Sequence, residues 1–147
     1  VMMRKSSLTQ IGLYYDKKAL YNEDYKLWVD SSISGLSIHC LKDVLIDYRT
    51  HEQQISKSKR EEQITNSFSI SILYAKFFFS ELMMGRQKLY FHLISGFCYS
   101  SKEYEATINL VPLLIYENQK KGHFDNDFFE LYLNNLKNRL KLIVRTQ

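Results

Sequence analysis

Two adjacent carboxylates, Glu23 and Asp24, open an amphipathic stretch, and an arginine and a histidine, Arg49 and His51, follow an apolar run. A positioned carboxylate can accept a proton from an attacking hydroxyl. An arginine presents a planar fork that fits phosphate oxygens, and a neutral histidine can ligate a metal. Each also has a plainer reading. Acids in the first turn of a helix stabilise it through the macrodipole by about 0.3–1 kcal/mol. Arg49 could pair with Asp47 or Glu52, and Trp28 suits a core anchor as well as a platform for a sugar ring. His39, His92 and His123 stand in unrelated contexts and read as surface or hydrogen-bonded histidines. Cys40 and Cys98 lie among apolar neighbours, outside any CxxC or Cys/His cluster, and are expected to be buried, inert thiols. The single D-x-D, Asp125-Asn126-Asp127, opens a helical pattern and reads as an N-cap.

The elements that must position these groups change character near residue 60. Before it they are short: a strand end at 1–4, a helix from Ser7 closed by Gly12, and a loop over 14–22. Tyr25, Leu27, Trp28 and Ile33 then predict a helix from Glu23 stopped by Gly35. Residues 36–41 and 44–48 predict two short strands, and 50–60 a polar surface loop or helix entry. Beyond residue 60 everything reads helical. Ile64, Phe68, Ile72, Ala75, Phe79 and Leu82 recur at helical spacing up to Gly85. Further helices are predicted over 87–99, over 104–116 with Pro112 either kinking it or marking a break, and from Asp125 to about Ile143.

Composition narrows the classes. The chain has 147 residues, of which 45% are hydrophobic and 14% aromatic, too apolar for intrinsic disorder. Five Gly and one Pro exclude collagen-like and linker sequences. Two cysteines cannot build a disulfide framework. A net charge of +4 without a concentrated basic run argues against nucleic acid as partner. The first residues lack the charged-then-apolar pattern of a secretory leader, and no apolar run reaches the roughly 18 residues of a spanning helix.

Three ordered blocks carry a resemblance: MMRKSSLTQIGLYYD (2–16), NEDYKLW (22–28) and VLIDYRTHEQQIS (44–56). The segment resembles the C-terminal half of the catalytic domain of family 2 glycosyltransferases, inverting enzymes of the GT-A fold. Arg4-Lys5-Ser6, Leu8 and Ile11-Gly12 match the first block of that family. Glu23-Asp24-Tyr25 with Leu27-Trp28 match the second, and Tyr48-Arg49, His51, Gln54 and Ser56 the last.

The resemblance implies an α/β fold, partial here. Residues 1–60 would be the C-terminal portion of a Rossmann-like GT-A domain, and 61–147 a mainly α-helical extension. It implies hexosyl transfer from a nucleotide-sugar donor to a glycan or lipid-linked acceptor with inversion, as in cell-surface polysaccharide synthesis. Asp24 would be the general base, with Glu23, Trp28, Arg49 and His51 on the substrate side and a divalent cation, Mg or Mn, as cofactor. His51 is the candidate metal ligand. The donor-binding half and its metal-holding D-x-D have no counterpart here, so the chain is expected to be a fragment of a longer enzyme and inactive alone. Its sheet should then be incomplete. A cytoplasmic location, or the inner face of the membrane, follows from the same resemblance.

A rival reading comes from the tail. The aromatic residues Phe77, Phe78, Phe79, Tyr90 and Phe91 and the basic last helix would suit a non-catalytic helical module. Its partner would be a membrane surface or a second copy, or the chain could be a degenerate relative of the enzymes.

Overall fold

The computed structural model describes residues 2–47, 49, 51, 54 and 58–143. The elements are α1 (Lys5–Gln10), α2 (Glu23–Ile33), α3 (Arg60–Phe78), α4 (Ser80–Met83), α5 (Gln87–Ser95), β1 (Phe97–Cys98), α6 (Ser101–Lys121), α7 (Asn126–Arg139) and β2 (Lys141–Leu142). They divide into two compact units, Val1–Tyr74 and Ala75–Gln147.

In the first unit, Ala19, Val29 and Ile70 form a small buried cluster, covered by Tyr25, Ile33 and Tyr74. So little apolar surface would hold α2 loosely, and polar contacts supplement it. Asn22 Nδ2 donates to the Gln63 carbonyl (3.0 Å), and Ser67 Oγ donates to Asn22 Oδ1 (2.7 Å). Gln63 Nε2 and Asn66 Nδ2 donate to the carbonyls of Tyr21 and Leu20, each at 2.9 Å. Higher up, the Tyr25 hydroxyl meets Ser71 Oγ at 2.8 Å and the Tyr74 hydroxyl meets Ser32 Oγ at 3.1 Å. The turn before α2 is tight enough to put Tyr21 at φ +65°, in the left-handed region that a bulky residue rarely adopts.

The second unit is a helical assembly. Met83, Leu93, Leu110, Leu114 and Leu133 are essentially inaccessible at its centre. Phe124 and Phe129 stack with centroids 5.1 Å apart, and Phe79 stacks on Phe129 at 5.7 Å. Helix ends follow local chemistry. Ser100 caps α6 by accepting the Glu103 amide, and Asp125 caps α7 by accepting that of Phe128. Gly96 ends α5 at φ +80°, the left-handed geometry that glycine adopts without steric cost.

The expected α/β architecture is not present. The chain is predominantly helical, and the sheet among the described residues is the two-stranded parallel pair β1–β2, two residues long on each side. Residues 36–41 and 44–47, predicted as strands, form no ladder and leave Ile38, Leu41, Val44, Leu45 and Ile46 exposed. Tyr48 lies outside the described residues. A strand is completed only by a neighbour that accepts its amides, and the rest of this chain offers helices. Residues 2–4 are likewise not a strand, and among the described residues no part of a Rossmann-like sheet forms. Smaller differences are local. The long predicted helix breaks at Phe79, α5 stops at Ser95, and α7 stops at Arg139 before β2. Pro112 is accommodated inside α6, which runs on to Lys121.

Candidate functional site

The candidate site is the start of α2. Its N-cap residue, Asn22, turns its side chain toward α3 instead of capping its own helix. The first-turn amides therefore depend on the acids beside them, Glu23 and Asp24. Asp24 is exposed, and its Oδ1 accepts the Tyr25 amide at 2.7 Å. Glu23 is half-buried, four residues before the buried Leu27.

Trp28 stands one turn beyond Asp24, on the same face of the helix. It is half-buried, and its indole Nε1 is shielded from solvent without a hydrogen-bond partner among the described residues. The other carboxylate of α2 is committed: Asp30 takes both oxygens to Lys26 Nζ at 2.6 Å.

Arg49 and His51 are both exposed. Their backbone carbonyls accept from Gln54, Arg49 from Nε2 (3.2 Å) and His51 from the amide (3.4 Å). Among the described residues no hydrogen bond or ion pair joins either side chain to Glu23 or Asp24. Tyr48 and Ser56, two further positions of the last block, lie outside the described residues.

The divalent cation can be tested against these residues. Among the described residues no three His, Cys, Asp or Glu side chains gather as a metal site would need. His51 accordingly has no companion ligands among the described residues.

A second polar cluster, in the other unit, escaped sequence reasoning. His92 is almost fully buried, and its Nδ1 donates to the Phe97 carbonyl at 2.7 Å. Its Nε2 lies 3.8 Å from Glu103 Oε1. Glu103 also receives a hydrogen bond from Lys88 Nζ and the Tyr99 amide (3.4 Å). The Lys88 bond, against a smaller opposing effect of desolvation, holds the Glu103 carboxyl below the usual carboxylate range. The available signal was Ser100-x-x-Glu103, a capping-box spacing. The cysteines divide: Cys98 is buried as expected, whereas Cys40 is exposed because the segment around it forms no sheet.

Compared with protein-family models, curated proteins and solved structures, the chain matches none. Among the described residues no helix is long and apolar enough to cross a membrane.

Proposed function

We propose that the first unit supplies the acceptor-activating side of an inverting glycosyltransferase of family 2, with Asp24 as general base. Asp24 takes the proton of an acceptor hydroxyl as that oxygen bonds to C1 of the donor sugar. The bond from C1 to the diphosphate oxygen breaks, and the nucleoside diphosphate leaves with the electron pair. Arg49, exposed and always charged, is the group of this chain suited to the leaving phosphates. Glu23 and Trp28 stand beside the base, Trp28 one turn away on the same helix face. No step is routed through a cation. Nucleotide sugars of this class are used in the cytoplasm, and that is the proposed location, at or near the inner face of the membrane.

The observation that carries the reading is the state of Asp24. It sits exposed on the first turn of α2 and forms no ion pair among the described residues, unlike Asp30 on the same helix, which Lys26 occupies. A carboxylate left accessible in this way can receive a proton. The three ordered sequence blocks supply the reaction class.

The test is sugar transfer from a panel of nucleotide sugars by the protein expressed from its whole reading frame. Asp24→Asn should lower kcat by roughly 10²–10⁴-fold with the far-UV circular dichroism unchanged. Transfer at a near wild-type rate would refute the assignment.

A further inference from the structure

The last helix of the second unit has two faces. Leu133 and Leu136 are buried in the core, and Phe129 packs against it. On the other side Phe128, Leu131 and Tyr132 are 76%, 57% and 52% exposed, and Asn135 and Arg139 continue the row. At 3.6 residues per turn these five positions fall within about 100° of arc, so they form one continuous stripe along α7. Three large apolar side chains on consecutive turns of a solvent-facing helix are more than scattered surface residues.

Charge tells which partner fits. Asp127 borders the N-terminal end of the stripe, about 40° beyond Leu131, and Arg139 lies within it at the C-terminal end. Among the described residues neither forms an ion pair. An anionic bilayer would repel the end where Phe128 stands, because Asp127 lies at its edge. A copy of the same helix running the opposite way suits both ends at once. Its Arg139 lies over the Phe128 ring and within reach of Asp127, and the two macrodipoles oppose. Such a pairing is isologous: each contact occurs twice about a twofold axis.

We infer that the second unit associates with a second copy of this chain through the Phe128–Leu131–Tyr132 stripe of α7, antiparallel about a twofold axis. The inference is independent of the glycosyltransferase reading. A contact about 21 Å long is small for a dimer interface, so the association is weak and concentration-dependent.

The experiment is sedimentation equilibrium on the whole chain from about 5 to about 300 µM. The unchanged protein should shift from monomer to dimer across that range. Leu131→Asp should weaken the dimer by roughly tenfold or more, because it places a charge at the centre of the contact. Asp127→Lys and Arg139→Glu should each weaken self-association by several-fold, since each makes the overlapping ends alike in sign. Mixing those two variants should restore dimerisation as a heterodimer. All substituted residues are exposed, and circular dichroism checks that the helices persist.

A strictly monomeric chain at about 300 µM overturns the inference. So does a dimer indifferent to Leu131→Asp, which would place the contact elsewhere. Failure of the mixed charge variants to pair overturns the antiparallel arrangement. If a monomeric chain instead binds anionic vesicles and Leu131→Asp abolishes that binding, the face belongs to a bilayer and the inference is wrong.

Discussion

Glu103 accepts from Lys88 on one side and faces the buried imidazole of His92, 3.8 Å from Nε2, on the other. It therefore joins α5 to the start of α6. The same residue donates its amide to the Ser100 cap and accepts the Thr107 hydroxyl on its carbonyl (2.7 Å). One residue thus anchors the first turn of the longest helix to the helix before it.

The depressed Glu103 carboxyl has a consequence with a definite sign. A group whose pKa is lower in the folded state stabilises the fold above its unfolded value, about 4.3. That contribution is lost as pH falls through the lower, folded value. Glu103→Gln should therefore lower the thermal midpoint at pH 7, and the gap from wild type should be smaller at a pH well below the unfolded value of about 4.3. Lys88 is 72% exposed, so added salt should also narrow the gap. A gap of equal size at both pH values would show that the carboxylate charge is not the cause.

Asn118 is the buried polar group on which the turn between α6 and α7 depends. Its Nδ2 donates to the Phe124 carbonyl and to Asn126 Oδ1, both at 2.9 Å, and its Oδ1 accepts the Phe124 amide at 3.0 Å. Asn118→Ala leaves these partners unsatisfied and should cost roughly 2–4 kcal/mol in urea unfolding. Asn118→Asp keeps the shape but removes the donors, so it should be no better tolerated. At the exposed Asn109 on the same helix, alanine should change stability by under about 0.5 kcal/mol.

Pro112 gives a prediction of opposite direction. It lies in the interior of α6, is exposed, and has no amide for the helix hydrogen bond. Pro112→Ala restores that bond and relieves the ring from the preceding turn. Loss of the proline's restraint on the unfolded chain offsets part of the gain. The variant should be more stable by up to about 3 kcal/mol, read as a higher thermal midpoint. A lower midpoint would mean the ring itself packs usefully.

The helices of the second unit were legible because their signals are local. Phe129, Leu133 and Leu136 repeat at helical spacing and Asp125 marks the start of α7, whereas the ends expected at 99, 104 and 116 miss Ser95, Ser101 and Lys121 by three to five residues. The run through Val44, Leu45 and Ile46 was misread for the converse reason. An apolar β-branched run says that a segment can be extended, but a strand also needs a partner, and none exists in the described residues. For the candidate site, the position of Asp24 at the start of a helix was readable. Whether Arg49 and His51 approach it depends on tertiary folding across residues 34–60, which no local pattern encodes. The Glu103–His92 contact was hidden likewise, since it joins residues on different elements.

The two residues at the start of α2 should separate structure from chemistry. Asn22 is buried and spends its side chain on α3, on Gln63 and Ser67. Asn22→Ala takes one hydrogen bond from the Gln63 carbonyl and one from the Ser67 hydroxyl, and should destabilise the first unit by roughly 1–3 kcal/mol. Asp24 is exposed, and among the described residues its side chain hydrogen-bonds to the Tyr25 amide. Asp24→Asn removes one first-turn charge, worth about 0.3–1 kcal/mol and less in salt. Thermal unfolding of both variants, read beside sugar transfer, makes the comparison. A base that serves the substrate predicts that Asp24→Asn loses activity far out of proportion to stability. Asn22→Ala, measured well below its own midpoint, should retain most of its transfer rate. Were the two variants to lose activity only as fast as they lose fold, Asp24 would be a helix-start acid and nothing more.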